Sequence, residues 1–220
     1  MKPAGIVVMI IFLCCGNQIY SQTLPFAPEW SYGVNGGVTL SRMNVNSYLS
    51  VPQELLQQYS GGISVRYISE KHFGIQGELN YSQRGWRERT DTIFVNRYAR
   101  TLTYLELPVL THIYFDLGKY VRLIVNLGPQ VSCYISEKEI EREINDFARD
   151  NSYYDLPVQR PFDYGLKGIM GFEFRTKTGS IILDGRYYFG LSDIFNNSKA
   201  DLFQASHHQV IGVNITYLFR

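Results

Sequence analysis

From Ser31 onward the chain alternates bulky apolar side chains with small or polar ones at a period of two. Tyr32, Val34, Gly36, Val38 and Leu40 share one face, and Ser31, Gly33, Asn35, Gly37 and Thr39 share the other. Successive side chains point to opposite sides in a β-strand, whereas a helix repeats every 3.6 residues, so this segment reads as a strand. The pattern recurs over about 61–69, 72–87, 100–116, 120–135, 161–175, 180–192 and 206–220, which with the first strand makes eight. After the first two dozen residues no run of about 18 consecutive apolar residues occurs, so no transmembrane helix is expected.

The connections sort by length. Three are short, at Ser69–His72, Asp116–Lys119 and Thr176–Gly179, and four are long, over about 41–60, 88–99, 136–160 and 193–205. Short and long strictly alternate, which is how bacterial outer-membrane barrels place tight turns in the periplasm and larger loops outside. An even strand number then puts both termini in the periplasm. Strands of about ten residues or more cross a hydrocarbon layer when tilted, and the sheet must close because lipid leaves an open edge unsatisfied. The expected fold is therefore all-β: an eight-stranded antiparallel transmembrane β-barrel with short periplasmic turns and long extracellular loops, in contact with outer-membrane lipid.

A soluble barrel of the lipocalin kind is the competing architecture, with its apolar face inside. Geometry decides, because eight strands enclose room for only a modest set of packed side chains. Over 161–175 one face is Phe162, Tyr164, Leu166, Gly168, Met170, Phe172 and Phe174. Rows this bulky on every strand would overfill the interior. The small and polar rows fit it: Gly33, Asn35, Gly37 and Thr39; Gln76, Glu78 and Asn80; Arg122, Asn126, Gly128 and Gln130; Val210, Gly212, Asn214 and Thr216. Tyr32, Tyr67, Phe73, Phe115, Phe174, Tyr217 and Phe219 fall beside the short turns or the termini, where an interfacial aromatic girdle is expected.

The first residues carry an export signal: Lys2, an apolar run from Ala4 to Cys15, then a polar segment reaching Ser21. The run is too short to span a bilayer as a helix, and cleavage is expected after Ser21, leaving residues 22–220 as one barrel domain. Lipidation is the weaker reading, since Cys14 follows Leu13 and Cys15 follows Cys14 where a lipoprotein signal has a small residue. Loss of residues 1–21 removes one of the 21 basic residues and none of the 20 acidic ones, so the mature formal charge is 20 − 20 = 0. That balance offers no footprint for nucleic acid. Cys133 alone of the three cysteines survives export, so no intramolecular disulfide is available.

Several words along the chain carry a family resemblance: Gly36-Gly37-Val38-Thr39-Leu40-Ser41, Glu78-Leu79-Asn80-Tyr81-Ser82-Gln83-Arg84-Gly85, Tyr104-Leu105-Glu106-Leu107-Pro108-Val109, Leu127-Gly128-Pro129-Gln130 and Arg186-Tyr187-Tyr188-Phe189-Gly190-Leu191-Ser192-Asp193-Ile194. In this order the chain resembles the PorT-like outer-membrane β-barrel family of the Bacteroidota. The resemblance implies an eight-stranded outer-membrane barrel and little about activity. Outer-membrane barrels commonly end on an aromatic residue read by the barrel assembly machinery. Here Tyr217 and Phe219 keep the alternating aromatic ending, but Arg220 follows.

Candidate chemistry concentrates inside. Arg66, Arg122, Lys167 and Arg186 face inward with Glu78, Glu106, Glu173 and Asp184, four of each sign. Charges enclosed in a narrow barrel require pairing, so a structural ion-pair network between neighbouring strands is expected, with an ion gate as the sharper alternative. An enzyme would need an activated nucleophile near the outer rim. His112 lies inward toward the periplasmic end, where it fits an interior hydrogen bond. His207 and His208 read as rim residues whose opposite directions exclude joint metal ligation. No phosphate loop, paired-Cys motif or Ser-His-Asp spacing occurs, so no cofactor, metal or enzyme activity is expected. In 137–147, Ile140, Ile144 and Phe147 lie at helical spacing, which suits a short amphipathic cap as well as a solvated charged loop. With Leu55, Leu56 and Tyr59 they form the candidate surface for an extracellular ligand or partner protein. A structural and surface-binding role leads, with a narrow solute or ion channel second and an outer-membrane enzyme third.

Overall fold

The computed structural model describes residues 26–46, 53–91, 95–143, 160–192 and 205–219, and the expected signal segment lies outside them. Among the described residues eight long strands occur: β1 (Glu29–Asn46), β2 (Leu56–Glu70), β3 (Phe73–Asp91), β4 (Val95–Asp116), β5 (Val121–Glu143), β6 (Phe162–Arg175), β7 (Gly179–Gly190) and β8 (Ala205–Phe219). Each pairs antiparallel with its neighbours in sequence. β1 also pairs with β8, from Tyr32↔Phe219 to Asn46↔Ala205, and so closes the barrel.

The alternation becomes an inside and an outside. On β6, Asp163, Lys167, Ile169 and Glu173 are buried while Phe162, Tyr164, Leu166, Met170, Phe172 and Phe174 are exposed. The outer wall is thus the apolar one, opposite to a lipocalin. At the end bearing the short turns, Trp30, Tyr32, Phe73, Phe115, Tyr120, Phe174 and Phe219 point outward, with Trp30 against Tyr67 (ring centroids 4.6 Å) and Tyr217 against Phe219 (4.8 Å). A second outward aromatic set, Tyr59, Tyr81, Phe162 and Tyr164, stands further along the strands. Phe174 and Tyr164 are ten residues apart on β6, or about 25 Å along the barrel axis at a typical tilt, the height of a membrane-spanning apolar band.

Local chemistry sets the details. The Lys71–His72 turn places His72 at φ 74°, a left-handed conformation that His tolerates better than bulky residues do. Pro108 lacks an N–H, and the β3–β4 ladder skips from Gly77↔Val109 to Asn80↔Glu106 around it. The β4–β5 ladder likewise skips from Pro108↔Gln130 to Thr111↔Leu127 beside Pro129. Gly212 pairs directly with Arg186 on β7, and a Cβ there would come within 2.8 Å of the Val38 carbonyl oxygen.

Three expectations need correction. The 88–99 loop is mostly strand, since β3 and β4 stay paired up to Asp91↔Val95. The stretch 137–143 forms neither a helix nor a loop but continues β5, with Thr101↔Lys138 and Tyr98↔Arg142 in register. Ile140 is exposed there, while Ile144 and Phe147 lie outside the described residues. Backbone pairing to β4 outweighs the helical spacing of three apolar residues, because Glu137–Glu143 also alternates at period two. Finally, β2 starts at Leu56, whose side chain is buried, so Leu56 is not a surface residue. Leu55 is exposed beside it, and Tyr59 lies on the outer wall opposite Val38. β5 runs ten residues past Cys133↔Phe162, its last pairing with β6, so β3, β4 and β5 form an arm beyond the barrel rim.

Candidate functional site

The barrel interior is a polar column sealed at one end. At the short-turn end Ile68, Tyr114, Ile124, Ile182 and Leu218 cluster fully buried inside the lumen. These apolar side chains continue the inward rows of β2, β4, β5, β7 and β8, and they form a plug that an expectation of a small and polar interior leaves out.

Above the plug, Arg66 meets Glu173 through two parallel hydrogen bonds, Nη1 to Oε2 and Nη2 to Oε1, each 2.9 Å. Both side chains are out of solvent, which is the strong bidentate geometry of a guanidinium on a carboxylate. His112 is buried at the same level with Nδ1 2.7 Å from Asn126 Oδ1. At mid-height Glu78 accepts from Gln76 Nε2 (2.9 Å), Asn80 Nδ2 (2.8 Å) and Arg186 Nη1 (2.9 Å). Arg186 Nε also donates to Asp184 Oδ1 at 2.6 Å. Lys167 Nζ stands between Glu78 (3.8 Å) and Glu106 (3.5 Å) and so joins this group to the next.

Toward the arm, Arg84 donates to Glu106 Oε1 from Nε (2.9 Å) and Nη2 (2.7 Å), to Ser132 Oγ (2.9 Å) and to Asp163 Oδ2 (2.5 Å). Its guanidinium lies between the rings of Tyr188 (4.3 Å) and Tyr104 (4.9 Å), and Tyr188 Oη and Ser192 Oγ both donate to Asp163. Every donor of this cation thus has a carboxylate, hydroxyl or π face near it, which is what lets a guanidinium with 1% of its surface exposed remain charged.

The eight expected charges separate accordingly. Glu78, Glu106, Lys167, Asp184 and Arg186 belong to one connected group, and Arg66 with Glu173 forms a second. Arg122 is buried but turns to the rim, where Nε donates to Asp116 Oδ1 (2.7 Å) over the Tyr114 ring. Arg84 and Asp163 complete the column and are absent from the sequence-based set. Their signal is plain parity: Arg84 follows Gln76, Glu78, Asn80 and Ser82 on the inward row, and Asp163 precedes Lys167 and Glu173. The expected pairing between neighbouring strands also needs correction. Arg66–Glu173 joins β2 to β6, Lys167 reaches from β6 to β3 and β4, and Arg186 reaches from β7 to β3. Long side chains span an eight-stranded lumen, so partners meet across it. A cavity of about 30 Å³ among Thr39, Ser82, Glu106, Lys167 and Arg186 leaves room for roughly one water.

His208 is a correction as well. It is fully buried inside, edge-on to Tyr104 at 5.8 Å, and does not sit on the rim, while His207 Nδ1 lies 3.3 Å from the Ser192 carbonyl. Among the described residues no cluster of His, Cys, Asp and Glu has a metal-binding arrangement. Cys133 is a free, exposed thiol.

The fold has known counterparts. The crystal structure of the outer membrane protein OprG from Pseudomonas aeruginosa aligns at a TM-score of 0.54 and 12% identity, covering 90% of this chain and all of that one. Ail, the attachment invasion locus protein of Yersinia pestis, in complex with the heparin analogue sucrose octasulfate, aligns at 0.40 and 14% identity over 87% of this chain and 99% of its own. Neisserial surface protein A aligns at 0.43 and 10% identity over the same shares. No curated protein sequence matches. The family model described as outer membrane protein beta-barrel domain matches residues 20–196. An inverted apolar wall, closure of eight antiparallel strands and this match together place the chain in the outer membrane protein beta-barrel domain family.

Proposed function

We propose that the protein is a closed outer-membrane barrel that holds an extracellular arm for adhesion or partner binding, and that its interior charges brace the barrel and do not conduct. The carrying observation is the contrast between lumen and rim. The lumen is filled by a connected ion-pair column over an apolar plug, whereas β3, β4 and β5 project far beyond the apolar band. β5 is 23 residues long, roughly a dozen more than the 9–11 a tilted strand needs to cross a membrane. In this reading both termini and the short turns are periplasmic, the arm is outside, and the resemblance of its sequence words assigns the chain to the PorT-like branch. The alternating aromatic residues Tyr217 and Phe219 of β8 suit recognition by the barrel assembly machinery, and the protein carries no enzymatic activity. Exposed Leu55 and Ile140 contribute to the partner-binding surface. Purified protein in planar bilayers is expected to give at most rare, small conductance events. A steady, large single-channel conductance would reject the closed lumen.

Export processing belongs to the same reading. The mature protein is expected to begin at Gln22, because Ser21 is the small residue after the apolar run. Intact mass of protein recovered from outer membranes checks this, and a mass that retains residues 1–21 or carries acyl chains on Cys14 or Cys15 would overturn it.

A further inference from the structure

Where the arm leaves the barrel, a groove of about 580 Å³ is lined by residues of β2, β3, β4 and β5. Its edge toward the apolar wall is Tyr81, exposed and paired with Leu105; two positions along the ladder and on the same face, Gln83↔Thr103 already lies within the groove. Thr101 and Thr103 are buried at its floor, and Thr101 Oγ1 accepts from Gln58 Nε2 at 2.9 Å, which leaves the hydroxyl proton free to donate. Ser136, Lys138, Glu139 and Ile140 from the overhanging end of β5 form the far side. The carboxylate among them, Glu139, accepts from Tyr98 Oη at 3.4 Å.

The position of the groove identifies its occupant. Tyr81, Gln83, Thr103, Ser136 and Lys138 stand on the row that continues the outer wall, and the groove begins at the level of the second aromatic set, the depth at which Tyr marks the boundary between hydrocarbon and headgroups. A ligand there must carry its polar part at headgroup height and its apolar part below, along Leu79 and Leu107. The lining is that of a saccharide site: an aromatic ring to lie under a sugar face, hydroxyls and a side-chain amide to exchange hydrogen bonds with sugar hydroxyls, and one ammonium for a phosphate. We propose that this groove binds the phosphorylated saccharide headgroup of an outer-leaflet glycolipid, with Tyr81 and Thr103 against the sugar and Lys138 on the phosphate. The proposal rests on the orientation given above, with the arm outside.

The test uses full-length protein folded in neutral bicelles and titrated with a bisphosphorylated, acylated glucosamine disaccharide, with bound lipid counted by native mass spectrometry. One lipid per barrel is expected, held about ten-fold more tightly than phosphatidylglycerol, and Lys138→Glu should weaken it at least about ten-fold, the worth of one hydrogen bond to a charged group. Lys177→Glu, in a short turn at the other end, should leave binding unchanged. Equal binding by Lys138→Glu, or no preference over phosphatidylglycerol, would overturn the site. Equally tight binding of the deacylated disaccharide would overturn the lipid as its ligand and leave a soluble saccharide. Labelling of Lys138→Cys, in a Cys133→Ser background, by an impermeant maleimide on intact cells isolates the orientation. Binding without labelling would move the arm to the periplasm and overturn the outer-leaflet ligand.

Discussion

Arg84→Ala is expected to cost about 3–5 kcal/mol of folding free energy, the penalty for leaving buried charge without its partner. Arg84 holds Glu106 and Asp163 together, so its loss strands two carboxylates, and Lys167 at 3.5 Å offers a single ammonium to one of them. Glu106→Ala and Arg186→Ala should fall in the same range, each removing one anchor from the column. The small cavity beside Lys167 lets water soften the loss toward the lower figure. Lys138→Ala, on the exposed arm, should change stability by no more than about 0.5 kcal/mol. The Arg66–Glu173 pair separates pairing from charge burial, because Arg66→Met or Glu173→Leu alone should be strongly destabilising while the double replacement recovers most of the loss. Urea unfolding of barrels in lipid vesicles, followed by tryptophan fluorescence, measures all of these. An Arg84→Ala barrel as stable as Lys138→Ala would reject the network.

The barrel was legible because period-two alternation acts on the backbone directly: once Phe162, Tyr164 and Leu166 share one face, Asp163 and Lys167 share the other, whatever the rest of the chain does. The same parity contained Arg84 and Asp163, and it also contained the plug of Ile68, Ile124, Ile182 and Leu218. What it does not contain is reach. A sequence pattern says that Arg66 and Glu173 face inward, but the distance across the lumen decides that they meet each other and not their strand neighbours. The strand ends were least legible. Glu137–Glu143 carries the charge of a loop and an apolar spacing that suits a helix, and only the neighbouring strand, with Arg100 on Glu137 and Tyr98 on Glu139, makes it a continuation of β5. His208 moved inward for a related reason, because β8 joins β1 as far as Asn46↔Ala205 and so carries the inward row higher than a rim at 206 allows.

Arg placed on the outer wall should cost according to depth. Val125 lies five residues from Tyr120 on β5, and Val213 lies six from Phe219 on β8. That is about 12–15 Å above the aromatic set at the short turns, near the middle of a band roughly 25 Å tall. Val125→Arg and Val213→Arg should therefore reach the upper part of the 2–4 kcal/mol range found for Arg at a bilayer midplane, or about 3–4 kcal/mol. Phe172 is equally outward, 45% exposed, but only two residues from Phe174, so Arg there can extend to the interface and should cost about 1–2 kcal/mol. Leu107, eight residues from Phe115 and nearer the second aromatic set, should also fall below the two valines. Apolar replacements at all four sites should be mild, since lipid repacks where a protein core does not. The gradient carries the information: a soluble barrel with these residues on its wall would tolerate Arg at every depth, and Arg would unfold it at Asn126 instead. Equal tolerance at Val125 and Phe172, measured by the same vesicle unfolding, would remove the membrane from the account of this wall.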